Sequence, residues 1–156
     1  KSGVAEMMGE IKTQLGQVNI ILVITAFLFY FLGGYILYGA LFAAIGAAVD
    51  SETDTQQFML PITIPLILGL FVMINSFVNP MGKLAIWFSI IPLTSPIVMM
   101  ARIPFEVPPI QIAASAVLLI LTFLATTWLA AKIYRTGILM YGKKVSYREL
   151  WKWLKY

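Results

Sequence analysis

Four long runs of the sequence contain no Asp, Glu, Lys or Arg, and this constrains the fold more than any other feature. The runs cover residues 19–49, 58–81, 84–101 and 107–131. An uncharged apolar run of about 18 or more residues can cross a bilayer as a helix. Only 12% of the residues are charged, whereas a soluble domain has about 25%. The sequence therefore predicts an all-α integral membrane protein.

The polar interruptions divide the chain into segments of a single transmembrane domain. Residues 1–17 are predicted to form an amphipathic helix at the interface, because their apolar residues recur at helical spacing. Three transmembrane helices follow, which we name span A (18–49), span B (58–78) and span C (108–135), with a polar loop at 50–57. Because the first residue is Lys and not Met, we expect this domain to be a fragment of a longer polypeptide, unless initiator residues are simply missing.

Span A is longer than one membrane crossing requires, and Gly33-Gly34 is the natural place for a kink. Its second half carries small residues at four-residue spacing, which let another helix approach closely. Gly39, Ala43 and Ala47 form one such row, and we expect it to pack against a helix. The adjacent row consists of Ala40, Ala44 and Ala48.

Prolines interrupt two of the apolar runs. Pro61 and Pro65 are expected to break the backbone hydrogen bonds in the first half of span B. Pro92 and Pro96, with Thr94 and Ser95 between them, divide residues 80–106 into halves too short to span a membrane. This pattern favours a re-entrant helical hairpin whose freed carbonyls the two hydroxyls help to satisfy. The alternative is a fourth span, which the distribution of positive charge favours.

The charged residues gather in two places. The loop at 50–57 holds three of the seven acids and no base, and either Asp50 or Ser51 can cap the next helix. Most positive charge follows the last apolar run, which marks the cytoplasmic side. There it favours the anionic lipid surface over nucleic acid as a partner. The proposed membrane-surface anchors are Lys143, Lys144, Arg148, Lys152 and Lys155.

Residues 146–156 are predicted to form a basic amphipathic C-terminal helix. Ser146 and Glu149 have the spacing of a capping box. An apolar stripe opposes the basic residues and consists of Tyr147, Leu150, Trp151 and Leu154. Such a helix either lies on the inner leaflet of the bilayer or packs on a cytoplasmic partner.

Catalysis by this chain is not expected. The absence of Cys and His removes the thiolate nucleophile, the commonest metal ligand and the commonest general base. Four serines lie within or beside the apolar runs without a predicted base: Ser76, Ser89, Ser95 and Ser115. We therefore predict no catalytic residue, no metal site and no cofactor bound by this chain.

The chain also lacks its own means to power transport. Gly137 and Gly142 precede Lys143 as in a P-loop, but Lys144 stands where a magnesium-binding Ser or Thr is required, and a membrane helix precedes the motif instead of a strand. No charged residue is predicted at mid-membrane, where ion-coupled transporters carry theirs. If the chain takes part in transport, a separate motor should supply the energy.

Three stretches together resemble a known family. They are the Gly- and Ala-rich run 34–48 leading into the polar run 50–57, the Pro-x-Thr-Ser-Pro motif at 92–96, and a third run near the end. The third run reads Trp128-x-Ala130-Ala131-Lys132-Ile133-Tyr134-Arg135-x-Gly137-Ile138. These stretches resemble the carboxy-terminal half of a bacterial ABC exporter permease of the type-2 family, in the group that includes the NatB-like sodium-export permeases.

The resemblance implies a permease subunit of an ATP-driven exporter, with spans A, B and C as its last three of six. It implies a cytoplasmic ATP-binding subunit that carries ATP and Mg, and we also expect a second permease copy as a partner. The location would be the bacterial cytoplasmic membrane with a cytoplasmic C-terminus. The resemblance also favours the hairpin over a fourth span. The expected ATPase-contact loop consists of Asp50, Ser51, Glu52, Asp54, Gln56 and Gln57.

Two other functions stay open from the sequence. The chain could be a membrane scaffold or assembly subunit without transport activity, which would use the small-residue rows of span A to pack against partners. A standalone channel is a third alternative.

Overall fold

The computed structural model describes residues 2–139 and 146–155, which form helices joined by short turns. Helices α2, α3 and α6 are long and apolar enough to cross a membrane. The predicted all-α membrane fold with three spanning helices is therefore confirmed. The elements are α1 (Ser2–Gln17), α2 (Ile20–Ala48), α3 (Glu52–Val78), α4 (Lys83–Ile90), α5 (Ser95–Arg102), a 3-10 turn (Ile103–Phe105), α6 (Pro109–Leu139) and α7 (Tyr147–Trp153).

Helices α2 and α6 run side by side in the same direction and form the centre of the bundle. A Cβ atom added to Gly33 would lie 2.9 Å from Leu119 Cδ2, and one added to Gly137 would overlap the Ala47 carbonyl oxygen. Both glycines therefore lie where the two helices approach most closely. Helix α2 continues through Gly33-Gly34, so these glycines provide close packing, and the predicted kink does not interrupt the helix.

The main core lies between α2, α5 and α6. Tyr30, Leu37, Met99 and Leu119 are fully buried there. The Tyr30 hydroxyl donates a hydrogen bond to the Ile112 carbonyl at 3.3 Å, so its polar end is satisfied inside an apolar environment. By contrast, four apolar residues of α1 are exposed: Val4, Met7, Met8 and Ile11.

Helix α3 begins earlier than the sequence predicted. Residues 52–57 form its first turns, so most of the expected polar loop is helical. Ser51 is the N-cap residue, and the acids Glu52 and Asp54 lie in the first turn, where the helix dipole favours negative charge. Pro61 and Pro65 each lack the N–H of a helical hydrogen bond, as expected, but the predicted break of the helix is wrong, because α3 continues through both prolines.

Helices α4 and α5 form a hairpin. The Arg102 Nε atom, at the end of α5, donates to the Pro80 carbonyl at 2.7 Å, just before α4 begins. A continuous helix over these residues would instead separate its ends by about 30 Å. At the turn, the Tyr38 hydroxyl donates to the Leu93 carbonyl, which places the turn beside the middle of α2. The fourth span considered from the sequence is therefore absent.

Candidate functional site

One end of the bundle brings the acidic and basic segments together. The rings of Phe58, in α3, and Tyr147, in α7, lie 4.4 Å apart between centroids. Trp153 of α7 is buried in a cluster with residues from the last turns of α2 and α6: Ala44, Ala48, Ala130 and Ile133. The start of α3, the ends of α2 and α6, and the C-terminal helix therefore share one face, which we call the tail face.

The predicted ATPase-contact residues lie on the tail face, but some are exposed to solvent and others are hydrogen-bonded to each other. Glu52, Gln56 and Gln57 are exposed. Ser51 and Asp54 bond to each other: the Asp54 N–H donates to Ser51 Oγ at 3.2 Å, and Ser51 Oγ donates to Asp54 Oδ2 at 2.7 Å. Asp50 is exposed at the junction of α2 and α3. The first turns of α3 thus present an acidic and amide-rich surface, while Ser51 and Asp54 form the cap.

The C-terminal helix packs on its own bundle, which neither alternative from the sequence anticipated. Trp153, absent from the predicted stripe, is the buried residue, whereas Trp151 is 68% exposed. Lys132 Nζ donates to the Leu154 carbonyl at 2.9 Å and lies 4.7 Å from the centre of the Trp128 ring. The aromatic side chain of Trp153 fills the space between the ends of α2 and α6, and this determines how α7 is oriented.

Two further expectations for the tail need correction or lie outside the structure. The side chain of Ser146 makes no capping hydrogen bond, so the predicted capping box with Glu149 does not form. Among the predicted anchors, Arg148, Lys152 and Lys155 are exposed. Lys143 and Lys144 lie outside the described residues, as does Gly142 of the P-loop-like run.

The hairpin turn satisfies its own backbone. Pro92 has no N–H, so the carbonyl of Phe88 loses its usual helical partner, and Thr94 Oγ1 donates to that carbonyl at 2.5 Å. Pro96 likewise leaves the Pro92 carbonyl free, and Ser95 Oγ lies 3.5 Å from it. The hydroxyls of Thr94 and Ser95 therefore take the positions that the missing amides would occupy.

A buried arginine joins the hairpin to α6. Arg102 is fully buried, and its Nη1 atom donates to Ser89 Oγ at 2.5 Å while Nη2 donates to Gln111 Oε1 at 2.8 Å. Ser115 Oγ of α6 donates to the Ser89 carbonyl at 2.7 Å. Together with the bond from Nε to Pro80, these contacts form a network that we call the Arg102 clamp.

From the sequence, Arg102 was assigned no role within the predicted hairpin of residues 80–106, whereas the structure places its side chain at the closure of that hairpin. The residue ends α5 with its side chain turned inward, because three polar groups from separate elements meet there. None of its hydrogen-bond partners in the described residues is a carboxylate. Burial lowers the pKa of the guanidinium from its ordinary value, but arginine stays protonated in proteins. No local pattern could have linked Arg102 to Ser89 and Gln111.

The row of small residues that packs inside the chain is not the one we favoured. Ala44 and Ala48 are buried against α6, whereas Gly39 and Ala43 are exposed. Ala47 is half-buried, with its carbonyl beneath Gly137. Gly39 and Ala43 instead line an open groove of about 830 Å³ along α2 and α6. The packed row differs from the predicted one by a single residue along α2, which is a rotation of about 100°.

Among the described residues, the arrangement offers packing and contact surfaces. Ser89 and Ser115 serve as partners in the Arg102 clamp. Within the described residues, no three His, Cys, Asp or Glu side chains lie close enough to hold a metal ion.

Comparison with known proteins identifies the family. The family described as ABC-2 family transporter protein matches residues 7–132. The chain belongs to the ABC-2 transporter family. The matched range includes α2, α3 and the hairpin, and most of α6. The resemblance to a type-2 ABC permease is therefore confirmed at the level of the family.

One relative covers most of the chain. The uncharacterized protein MJ1024 of Methanocaldococcus jannaschii is 28% identical over 137 residues, which is 87% of this chain and 34% of that protein. This chain therefore spans about a third of the length of the relative. No solved structure matches it.

Proposed function

We propose that this chain forms part of the permease subunit of an ATP-driven exporter and works with a separate cytoplasmic ATP-binding subunit. The observation that carries the proposal is the family match over residues 7–132, which coincides with a bundle of three apolar helices. In this proposal two permease copies form the pathway, and ATP and Mg bind to the partner subunit.

The distribution of charge supports one orientation in the membrane. The tail face carries five cations within the described residues: Lys132, Arg135, Arg148, Lys152 and Lys155. At the opposite end Lys12 of α1 and Lys83 are exposed, whereas the charge of Arg102 is buried in the clamp, so the described residues expose fewer cations there than on the tail face. Since positive residues accumulate on the cytoplasmic side, we assign the tail face to the cytoplasm. The membrane would be a bacterial inner membrane, and the hairpin would re-enter it from the outer side.

The exposed first turns of α3 are the surface that we assign to the ATPase. Glu52, Gln56 and Gln57 point outward, and α7 packs beside them through the contact of Tyr147 with Phe58. A helix start fixed by the Ser51 cap is a rigid element. It could therefore transmit a movement of the ATPase directly into a spanning helix.

Copurification tests this assignment in the full-length permease expressed with its ATP-binding subunit. We expect Glu52→Lys to reduce both the amount of ATPase recovered and its stimulation by the permease. Glu106→Lys is the matched control, because Glu106 is also exposed but lies beyond the hairpin, at the opposite end. Uphill transport by the permease without any ATPase would overturn the proposal.

Cysteine labelling tests the orientation, and the native chain contains no Cys. An impermeant thiol reagent added outside intact cells should label Lys83→Cys and Glu106→Cys, which flank the hairpin. It should not label Thr53→Cys, which is exposed on the tail face. Labelling of the two flanking positions from opposite sides of the membrane would contradict the re-entrant hairpin.

A further inference from the structure

The open groove between α2 and α6 ends at a positive charge. Its floor lacks large side chains where Gly39 and Ala43 lie, and Tyr35 and Tyr134 also line it. A Cβ added to Gly39 would meet nothing within 4 Å, which confirms that the space beside it is open. Arg135 lines the same groove. The surface of the bundle between α2 and α6 thus carries an open apolar groove with a cation in its lining.

Arg135 differs from the cation one turn before it. Lys132 is engaged by the Leu154 carbonyl and the Trp128 ring. Arg135 is exposed and makes no hydrogen bond or ion pair with any residue that the structure describes. Its guanidinium, with five N–H donors, is therefore available to an anion.

The depth of Arg135 in the membrane matches a lipid headgroup. The last apolar run ends at Ala131, and Arg135 follows about 6 Å further along α6. An apolar run of this length extends across the hydrocarbon core of a bilayer. The groove therefore lies at the level of the acyl chains, and Arg135 lies at the level of the phosphates.

We propose that this groove holds an anionic phospholipid, with an acyl chain along Gly39 and Ala43 and its phosphate bound by Arg135. Basic pockets between membrane helices on the cytoplasmic side are suited to anionic headgroups, and the guanidinium fork matches phosphate geometry. A spanning helix without acidic residues would cover Gly39 and Ala43 but would leave Arg135 without an anionic partner. The proposal rests on the cytoplasmic assignment of the tail face and not on transport.

Native mass spectrometry of the full-length permease tests whether the charge of Arg135 contributes to lipid binding. The protein would be exchanged into nanodiscs with phosphatidylglycerol or with phosphatidylcholine, and lipid retained after release would be counted. Arg135→Gln should weaken retention of phosphatidylglycerol about fivefold, since one basic residue near a membrane surface contributes about 1 kcal/mol. Arg148→Gln removes an exposed cation outside the groove and should leave retention unchanged. Equal retention by the parent and Arg135→Gln would overturn the proposal.

A second pair of variants tests the groove itself. Ala43→Leu places three extra carbons in the groove and should reduce retention of both lipids. Ala125→Leu makes the same change at an exposed site on α6 that lies outside the groove. It should leave the retention of both lipids unchanged. If the two variants behave alike, the lipid is not in the groove.

A cysteine at Gly39 identifies any other occupant. If the groove holds lipid, Gly39→Cys should form no disulfide to cysteines placed in upstream spans or in a second copy. An efficient cross-link to either would show that protein covers the groove, and the lipid site would be abandoned.

Discussion

Two segments of this chain carry the same proline spacing and fold differently. Residues 61–65 read Pro-Ile-Thr-Ile-Pro, and residues 92–96 read Pro-Leu-Thr-Ser-Pro. The first segment lies inside the continuous helix α3, whereas the second is the turn between α4 and α5. Because the two motifs are nearly identical, the prolines alone do not decide whether a membrane helix breaks.

The two segments differ partly in the carbonyl groups to which their threonine hydroxyls donate. Thr63 Oγ1 donates to the Met59 carbonyl at 2.9 Å, an acceptor that the helix already pairs with the Thr63 amide. Thr94 Oγ1 donates to the Phe88 carbonyl, which Pro92 has deprived of its amide. Only in the hairpin does the threonine replace a bond that a proline has removed.

The two proline segments also differ in the contacts that they receive from other helices. The Tyr38 hydroxyl donates to the Leu93 carbonyl in the turn, and a Cβ added to Gly34 would lie 2.8 Å from Pro96 Cβ. The Arg102 clamp closes the open end. In α3, by contrast, Pro61 and Ile64 are exposed. A proline pair thus breaks a helix where the surrounding structure binds the freed groups.

The largest expected effect follows from removing the Arg102 clamp. Arg102→Met would leave Pro80, Ser89 and Gln111 without their buried partner, which should cost about 3 kcal/mol of unfolding free energy. Denaturant titration of the purified permease in detergent measures this. Lys83→Met is the control, because Lys83 is exposed at the same end and should change stability by less than about 0.5 kcal/mol. Equal stability of the two variants would mean that the hairpin closes without the clamp.

The sequence predicted the three spanning helices mainly from hydropathy, although the equally uncharged run 84–101 forms a hairpin and shows that hydropathy alone does not decide which runs span. The runs that became α2, α3 and α6 lack charge throughout their centres, and lipid admits few other structures for them. The hairpin was predictable from its prolines together with its hydroxyls. The same reasoning failed for Pro61 and Pro65, because it contained no information about the neighbouring helices.

The details of the surfaces could not be predicted for a related reason. Arg102, Trp153 and the packed row of α2 all depend on which side of a helix meets another helix. An apolar helix in lipid has no polar face to reveal its buried side, so Ala43 and Ala44 were equivalent in the sequence. Their different environments arise from the approach of α6 and α7 to one side of α2.

A smaller effect is expected where the hairpin turn meets α2. Gly34→Ala would press a Cβ atom against Pro96, and overpacking of this kind costs about 1–3 kcal/mol. Gly39→Ala, on the open side of the same helix, meets nothing and should cause no loss of stability. Thermal unfolding of the two variants in detergent compares them. A hairpin that does not pack on α2 would make the two substitutions equivalent.

The smallest effect tests the proline comparison itself with a matched pair of substitutions. Thr94→Val keeps the shape of the side chain but leaves the Phe88 carbonyl buried without a hydrogen bond, which should destabilise the protein by about 1–2 kcal/mol. Thr63→Val removes a hydroxyl from a carbonyl that keeps its helical amide, so we expect a change below about 0.5 kcal/mol. Denaturant midpoints of both variants measure the difference. If Thr63→Val is as destabilising as Thr94→Val, the hydroxyl does not distinguish the two motifs, and the break at the hairpin must then depend on Tyr38, Gly34 and Arg102 alone.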